Sequence, residues 1–425
     1  MRIYNIFPLL AGPFNHWTSH LTGAAEMGFN WIFTNPIQKL GASGSLYSIQ
    51  DYFAINPALC AGADSAEAQV RAMVKEAEGL GLRLMIDLVI NHCAYDSDLL
   101  KQHPEWFAKD NGRIANPFCT HDGQKVVWQD LAQFDHHHSS DPEGLFRYCR
   151  KIVDYLIGLG FKGFRCDAAY QIPSGFWKRL IEEVRRDHPE VVFVAETLGC
   201  SPDQTRQTAQ AGFDAVFNSS KWWDFESPWL MEQYHLTRAT VPSISFAESH
   251  DTPRLFAEQH GNVDAMKQRY LFSALFSAGV MMPMGFEYGF RKQMHVVDTK
   301  PSDWEETGVD LTAFIRDVNL IKSHYRVFQE ESITEVWGCS NPALLLIWKA
   351  SPHDSSQALI ILNKDIWNRQ YCHIDNLQHY VQNAPTLVDV SPQWAMEFLP
   401  VPFDFDLLPG MARVLVTGPR LDSGA

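Results

Sequence analysis

One phrase recurs along most of this chain: a helical stretch closes on Gly or Pro, a short apolar run follows, and a polar cluster comes next. The apolar runs are Ile3–Phe7, Asn30–Thr34, Arg83–Asp87, Lys162–Cys166, Val191–Ala195, Ala215–Phe217, Ser243–Ala247 and Val280–Met284. Met27-Gly28, Gly79-Leu80-Gly81, Gly158-Leu159-Gly160, Pro189, Gly212 and Gly279 stand just before most of them. Continuous apolar strands entered through a helix-ending Gly are what buried parallel βα units require. Between them, 65–79, 143–158, 174–187, 263–278 and 308–324 repeat apolar residues at helical spacing, as Ala66, Val70, Met73 and Ala77 do. Eight strands alternating with helices predict a closed (β/α)8 TIM barrel. No GxGxxG follows the first strand, which weighs against an open dinucleotide-binding sheet.

The 425 residues hold a barrel of roughly 250 to 400 residues and a smaller second domain. The barrel is expected over 1–330. It includes a subdomain, 93–141, inserted after the third strand, where such an insertion shapes the mouth of a barrel. From 331 the pattern shortens to alternating runs, Thr334–Trp337, Ala343–Trp348, Ala358–Leu362 and Met411–Val416. These predict a C-terminal antiparallel β domain over 331–425.

The net charge of −15 argues against nucleic acid or an anionic membrane as a partner, since both call for a basic surface. It suits a neutral substrate. The start, MRIYNIFPLL, lacks a small-residue cleavage site, and no apolar run approaches ~18 residues, so neither a secretory signal nor a membrane span is expected. The eight cysteines are scattered without a CxxC, as in a reduced cytoplasmic protein.

Barrel active sites gather where strands end. The third strand leads through Asp87 to Asn91 and His92, the fourth through Arg165 to Asp167, the fifth to Glu196, and the seventh to Glu248, His250 and Asp251. Four strands therefore deliver acids to one rim. Asp167 and Glu196 are one βα unit apart, on neighbouring strands spaced ~4.8 Å, near the ~5 Å that a retaining glycosidase needs between nucleophile and acid. Arg165 shares a strand face with Asp167 and would keep it ionised. Glu196 follows an apolar run that would raise its proton affinity, as an acid requires. His92 and His250 can donate to sugar hydroxyls.

Taken in order, Asp87-xxx-Asn91-His92, Gly163-Phe164-Arg165-Cys166-Asp167, Ala195-Glu196 and His250-Asp251 resemble the four motifs of the alpha-amylase family, glycoside hydrolase family 13. Tyr47-xxx-Asp51-Tyr52 and Trp128–Gln133 resemble two further segments of that family. The resemblance covers residues 1 to about 330 and extends to a terminal β domain of the same kind. It implies Asp167 as nucleophile, Glu196 as acid/base and Asp251 as a residue fixing substrate hydroxyls in the transition state. It implies Arg165, His92, His250 and Tyr47 as the rest of the −1 subsite, with Asp87 supporting Arg165. The implied substrate is an α-linked glucan or oligosaccharide, cleaved with retention by hydrolysis or transglycosylation.

Many amylases carry a Lys-His pair after the nucleophile, where this chain has Tyr170-Gln171. That pair serves the acceptor side and helps hold calcium, so the change leaves calcium open, with no cofactor expected. It also shifts the balance from plain starch hydrolysis toward sugar transfer or short substrates. Tyr170 and Trp222 are candidate acceptor platforms, though Trp222 and Trp223 could equally pack in the core. Asp87–Arg165 could be only a buried ion pair. Glu287 and Tyr288 could touch substrate or simply pack. Three consecutive residues, His136 to His138, cannot converge on one ion from an ordinary loop and read as solvated. Two other classes stay open: a metal-dependent barrel hydrolase, for which the first strand lacks His-x-His, and a carbohydrate-binding protein without catalysis, against which the complete acidic trio argues.

Overall fold

The computed structural model describes residues 1–121, 124–381 and 387–421; residues 382–386 and 422–425 of the expected β domain, and the side chain of Cys119, lie outside what is described. Eight parallel strands close into a barrel in sequence order. They are β1 (Arg2–Ile6), β2 (Trp31–Thr34), β3 (Arg83–Leu88), β4 (Gly163–Cys166), β5 (Val192–Ala195), β6 (Ala215–Phe217), β7 (Ser243–Phe246) and β8 (Gly279–Pro283). Each coincides with one of the eight apolar runs read from the sequence.

Strand parity sorts the apolar residues into two shells. Ile3, Trp31, Phe33, Met85, Val194, Phe217, Ile244, Phe246 and Met281 fill the barrel interior. The alternate residues, such as Tyr4, Ile32, Ile86, Phe164, Phe193 and Met282, pack outward beneath the helices. Burial on both faces explains the unbroken apolar runs. At Gly163 a Cβ would stand 2.8 Å from the Trp31 ring, so glycine is the residue that lets this indole fill the barrel floor.

The helices Ala66–Gly79, Pro142–Leu159, Ser174–Asp187 and Val263–Phe276 follow the periodic segments. The Pro142–Leu159 helix starts on an Asp141 side chain that accepts from Gly144 N and ends at Gly160, left-handed at φ 109°. The last barrel helix is shorter than its periodicity predicts. It begins at Thr312, because Gly308 takes φ 78° and Asp310 accepts from the Thr312 amide at 2.9 Å, turning the chain before the helix. Helices that went unread in the sequence include Thr18–Glu26, Pro202–Ala209 and Trp229–Thr237.

After β3 the chain makes short antiparallel pairs, including His92–Ala94 with Leu131–Gln133. Beyond the barrel an antiparallel sheet runs in the order Ile333–Trp337, Leu344–Ala350, Gln357–Asn363, Ala412–Val416 and Val388–Asp389, beside the pair Gln370–Ile374 and Phe403–Leu407. Gln268 Nε2 donates to Asn363 O at 2.6 Å and Tyr234 Oη to Ser332 O at 2.7 Å, fastening this sheet to the barrel helices. Cys60, Cys93, Cys149, Cys166, Cys200, Cys339 and Cys372 are free. Among the described residues, no helix is long and apolar enough to cross a membrane.

Candidate active site

Register brings the acids together. Arg165 on β4 lies opposite Asp87 on β3 and Val194 on β5, and Cys166 lies opposite Ala195. One residue further, Asp167 and Glu196 are neighbours. The Asp167 amide donates to Leu88 O at 3.2 Å and the Glu196 amide to Cys166 O at 3.1 Å, so the ladder continues just past the strand ends. Asp87, Arg165, Asp167 and Glu196 share the parity of the interior residues Met85 and Val194, and all turn toward the axis.

Arg165 is the hub. Its Nη1 donates to both Asp87 carboxylate oxygens at 2.9 Å and to Asp167 Oδ1 at 2.8 Å. Its Nη2 stands 3.9 Å from Glu196 Oε2. The side chain is buried, and Asp87 is wholly so. Charges removed from water in this way hold only when paired, and here one guanidinium serves three carboxyls.

Asp87 is fixed from its other side. Tyr47 Oη donates to Asp87 Oδ2 at 2.6 Å. Having spent its proton there, the Tyr47 oxygen accepts from Asn35 Nδ2 at 2.9 Å and lies 2.7 Å from His250 Nε2. That accounting places a proton on His250 Nε2, which also lies 3.0 Å from Asp251 Oδ2. The Tyr47 and His250 rings stack, with centroids 5.9 Å apart and planes 10° off parallel. Asn5 Nδ2 in turn donates to Asn35 Oδ1 at 3.0 Å.

Glu196 sits differently. The Ala168 amide donates to Oε2 at 2.8 Å and the Leu198 amide to Oε1 at 3.1 Å. Ala168 is left-handed at φ 42°, an uncommon conformation for a residue with a Cβ. It turns the amide that follows Asp167 onto the neighbouring acid. Burial pushes the Glu196 carboxyl up to about 7, with the Asp167 charge adding to the rise and Arg165 opposing it. Asp251 moves the other way. Burial would raise it, but the charge and hydrogen bond of His250, with Arg165 behind, hold it below the usual carboxylate range.

Arg165, Asp167, Ala168, Glu196 and Asp251 line one cleft of about 300 Å3, together with Tyr47, His92, Tyr170, Gln171, Trp128 and Val296; His250 lines a small adjoining pocket that shares Arg165, Glu196 and Asp251 with it. Both ring nitrogens of His92 are buried without a partner. Of the residues singled out in the sequence, Asp167, Glu196, Asp251, Arg165, His92, His250, Tyr47 and Tyr170 therefore converge on one space. Trp222 does not join the cleft wall: it is half exposed, edge-on to Phe246 at 6.0 Å. Trp223 is core, packed against Phe225 and Phe272. Glu287 and Tyr288 belong to a separate cavity. His136 turns inward, with Nε2 2.7 Å from Ile90 O, while His137 and His138 are exposed.

Asn35, Asn5 and the amides of Ala168 and Leu198 escaped the sequence reading. Asn35 follows the second strand directly, so the rule that strand ends carry chemistry would have found it. Asn91 Nδ2 donates to Gln171 Oε1 at 2.8 Å, so the side chain at the second of the two altered positions is tied to the end of the third strand. Among the described residues no group of three His, Cys, Asp or Glu could hold a metal ion.

Comparison with known proteins follows the same line. Residues 1–110 match a family model described as the glucanotransferase domain of glycogen debranching enzyme. The chain is 24% identical over 372 residues to an alpha-1,4-glucan:maltose-1-phosphate maltosyltransferase of Burkholderia pseudomallei, covering 84% of this chain and 32% of that protein. It is 25% identical over 346 residues to a cyclomaltodextrinase of Geobacillus thermopakistaniensis, covering 74% and 56%. The chain thus spans 32% to 61% of the first maltosyltransferases it matches. An alpha-amylase from Lactobacillus plantarum shares the fold with a TM-score of 0.77 at 20% identity, over 98% of both chains. The chain thus shares its closed barrel and terminal sheet with solved alpha-amylases, and its relatives by sequence are maltosyltransferases and a cyclomaltodextrinase.

Proposed function

We propose that the protein is an α-retaining glycosidase or transglycosidase acting on α-linked glucans or gluco-oligosaccharides. Asp167 is the nucleophile: its carboxylate oxygen bonds to the anomeric carbon as the bond to the leaving oxygen breaks. Glu196 gives its proton to that leaving oxygen. Water or a sugar hydroxyl then attacks the glycosyl ester, Glu196 takes the incoming proton, and Asp167 leaves as carboxylate. Asp251, His250 and His92 orient the sugar hydroxyls, and Tyr47 borders the ring. Residues 1–330 are read as the catalytic barrel and 331–425 as the accessory β domain. The free cysteines suit a cytoplasmic setting.

The observation that carries this reading is the shared guanidinium. Arg165 is bonded to Asp167 and stands near Glu196, and burial raises the proton affinity of Glu196 to about 7. A carboxylate held by a guanidinium beside a buried acid of raised proton affinity is what nucleophile and acid roles demand. A 2-deoxy-2-fluoro or 5-fluoro α-glucosyl fluoride, followed by peptide mass spectrometry, tests it. A label on Asp167 is expected, and a label on any other residue overturns the assignment. Incubation with maltooligosaccharides separates the two outcomes. Shorter products alone mean hydrolysis, and longer products as well mean transfer. The Tyr170-Gln171 sequence and the aromatic wall of Tyr170 and Trp128 favour transfer, because a sugar held there competes with water for the ester.

A further inference from the structure

A second cavity, of about 420 Å3, lies on the flank of the barrel between the Thr18–Glu26 helix and the Thr312–His324 helix. It shares no lining residue with the cleft. We infer that this cavity is a secondary binding site for a neutral polyhydroxylated ring, such as one or two glucosyl units of an α-glucan chain.

Four observations support this. The first is an aromatic platform at the cavity wall: Trp304, over a third exposed, meets the rings of His20 at 5.2 Å and Tyr288 at 5.9 Å. Exposed indole faces bind the C–H faces of sugars by apolar contact. The second is an unspent polar atom. Glu287 lines the cavity, is 1% exposed, and uses only Oε1, which accepts from Tyr4 Oη at 2.5 Å; Oε2 is buried without any partner. A buried oxygen left without a hydrogen bond is costly, and a ligand hydroxyl would satisfy it. The third is charge. Glu26 and Asp310 stand against Arg316 and His20 in the same lining, a mixture of acceptors and donors. A hydroxyl, which both donates and accepts, suits that mixture better than an ion of either sign.

The fourth is Gly23, in the middle of the Thr18–Glu26 helix and part of the lining. A Cβ there would meet nothing within 4 Å, so packing does not demand glycine, and glycine inside a helix costs about 0.5–1 kcal/mol against alanine. Its effect is to leave the cavity wall open. The volume also falls within the ~300–1,000 Å3 of ordinary ligand sites.

The inference rests on the proposed α-glucan activity for its choice of sugar, and the test separates the two. Maltoheptaose is titrated into the Glu196→Gln protein by calorimetry, alongside Trp304→Ala and Gly23→Met in the same background. Turnover of a short chromogenic maltoside is measured for each flank substitution with Glu196 intact. Two binding classes are expected, the weaker lost or at least tenfold weaker in both flank variants, with turnover of the maltoside within twofold of wild type. Gly23→Met puts bulk into open space on a helix, so it remains informative if Trp304→Ala folds poorly. One binding class with normal turnover, or a second class indifferent to both substitutions, overturns this inference and leaves the proposed function standing. Neither binding nor turnover with any α-glucosyl donor overturns both.

Discussion

Glu196 offers the sharpest test of the proposed chemistry. Burial and the Asp167 charge bring its midpoint to about 7 from an ordinary 4.5. At pH 7 such a carboxyl is about half protonated. An unperturbed one would carry a proton roughly 0.3% of the time, so the site holds its acid ready about 150-fold more often, equivalent to about 3 kcal/mol. The perturbation is twofold: pH, and Glu196→Gln. The assay is kcat/KM, which reports the free enzyme, for a maltooligosaccharide and for an α-maltosyl fluoride, whose fluoride needs no proton to leave. For the oligosaccharide, kcat/KM should fall tenfold per pH unit above about 7, as the acid loses its proton. For the fluoride the same limb should be flat. Glu196→Gln should cost about 10²–10⁴-fold on the oligosaccharide and far less on the fluoride. A limb centred near 4.5, or one that persists unchanged in Glu196→Gln, would refute the reasoning.

Other consequences are checked more simply. Asp87→Ala leaves the buried Arg165 with fewer partners and should destabilise the fold by about 3–5 kcal/mol, read by urea denaturation, while lowering turnover because Arg165 no longer stands fixed beside Asp167. Tyr170→Ala should raise KM for long maltooligosaccharides several-fold and shift products from transfer toward hydrolysis, with hydrolysis of a short donor little changed, as product sizing would show. Glu287, which burial raises to about 7 from 4.5, binds an extra proton in the folded state between those values. Its stabilising contribution is therefore full below pH 4.5 and lost as pH rises through about 7, worth up to about 3 kcal/mol. Urea midpoints from pH 5 to 8 should fall less steeply in Glu287→Gln than in wild type. Strong chelators should leave turnover unchanged, since the proposed steps run on the carboxyls of Asp167 and Glu196.

The barrel was readable because its physics is repetitive. Strands buried on both faces have no polar side to show, so Arg83–Asp87 and Val191–Ala195 stand out as apolar runs, and the glycines at 81, 160 and 212 announce the turns into them. The acids were legible for the same reason: a carboxyl at the end of such a run has few structural excuses. What escaped depends on backbone detail. Trp222 and Trp223 are adjacent and chemically identical, yet one is core and the other exposed, because the short helical turn Ser220–Trp222 aims them apart. The Ala168 amide reaches Glu196 only through a left-handed residue, and no propensity predicts that at alanine. The Asn5–Asn35–Tyr47 chain joins three segments through single polar atoms, which carry no periodicity. The helix Thr18–Glu26 is short, and its apolar face includes only Leu21 and Ala24 as buried residues.

The arrangement around Arg165 also bears on how one side chain could perform two opposite tasks in succession. The negative charge of Asp167 is among the causes that lift the Glu196 proton affinity, while Arg165 pulls it down. Once a sugar is esterified to Asp167, that charge is gone and the cation remains. Glu196 then sheds its proton more readily, at the moment when the incoming water or hydroxyl needs a base. Timing of this kind needs no moving part, only that the two carboxyls feel each other's charge across a common positive neighbour.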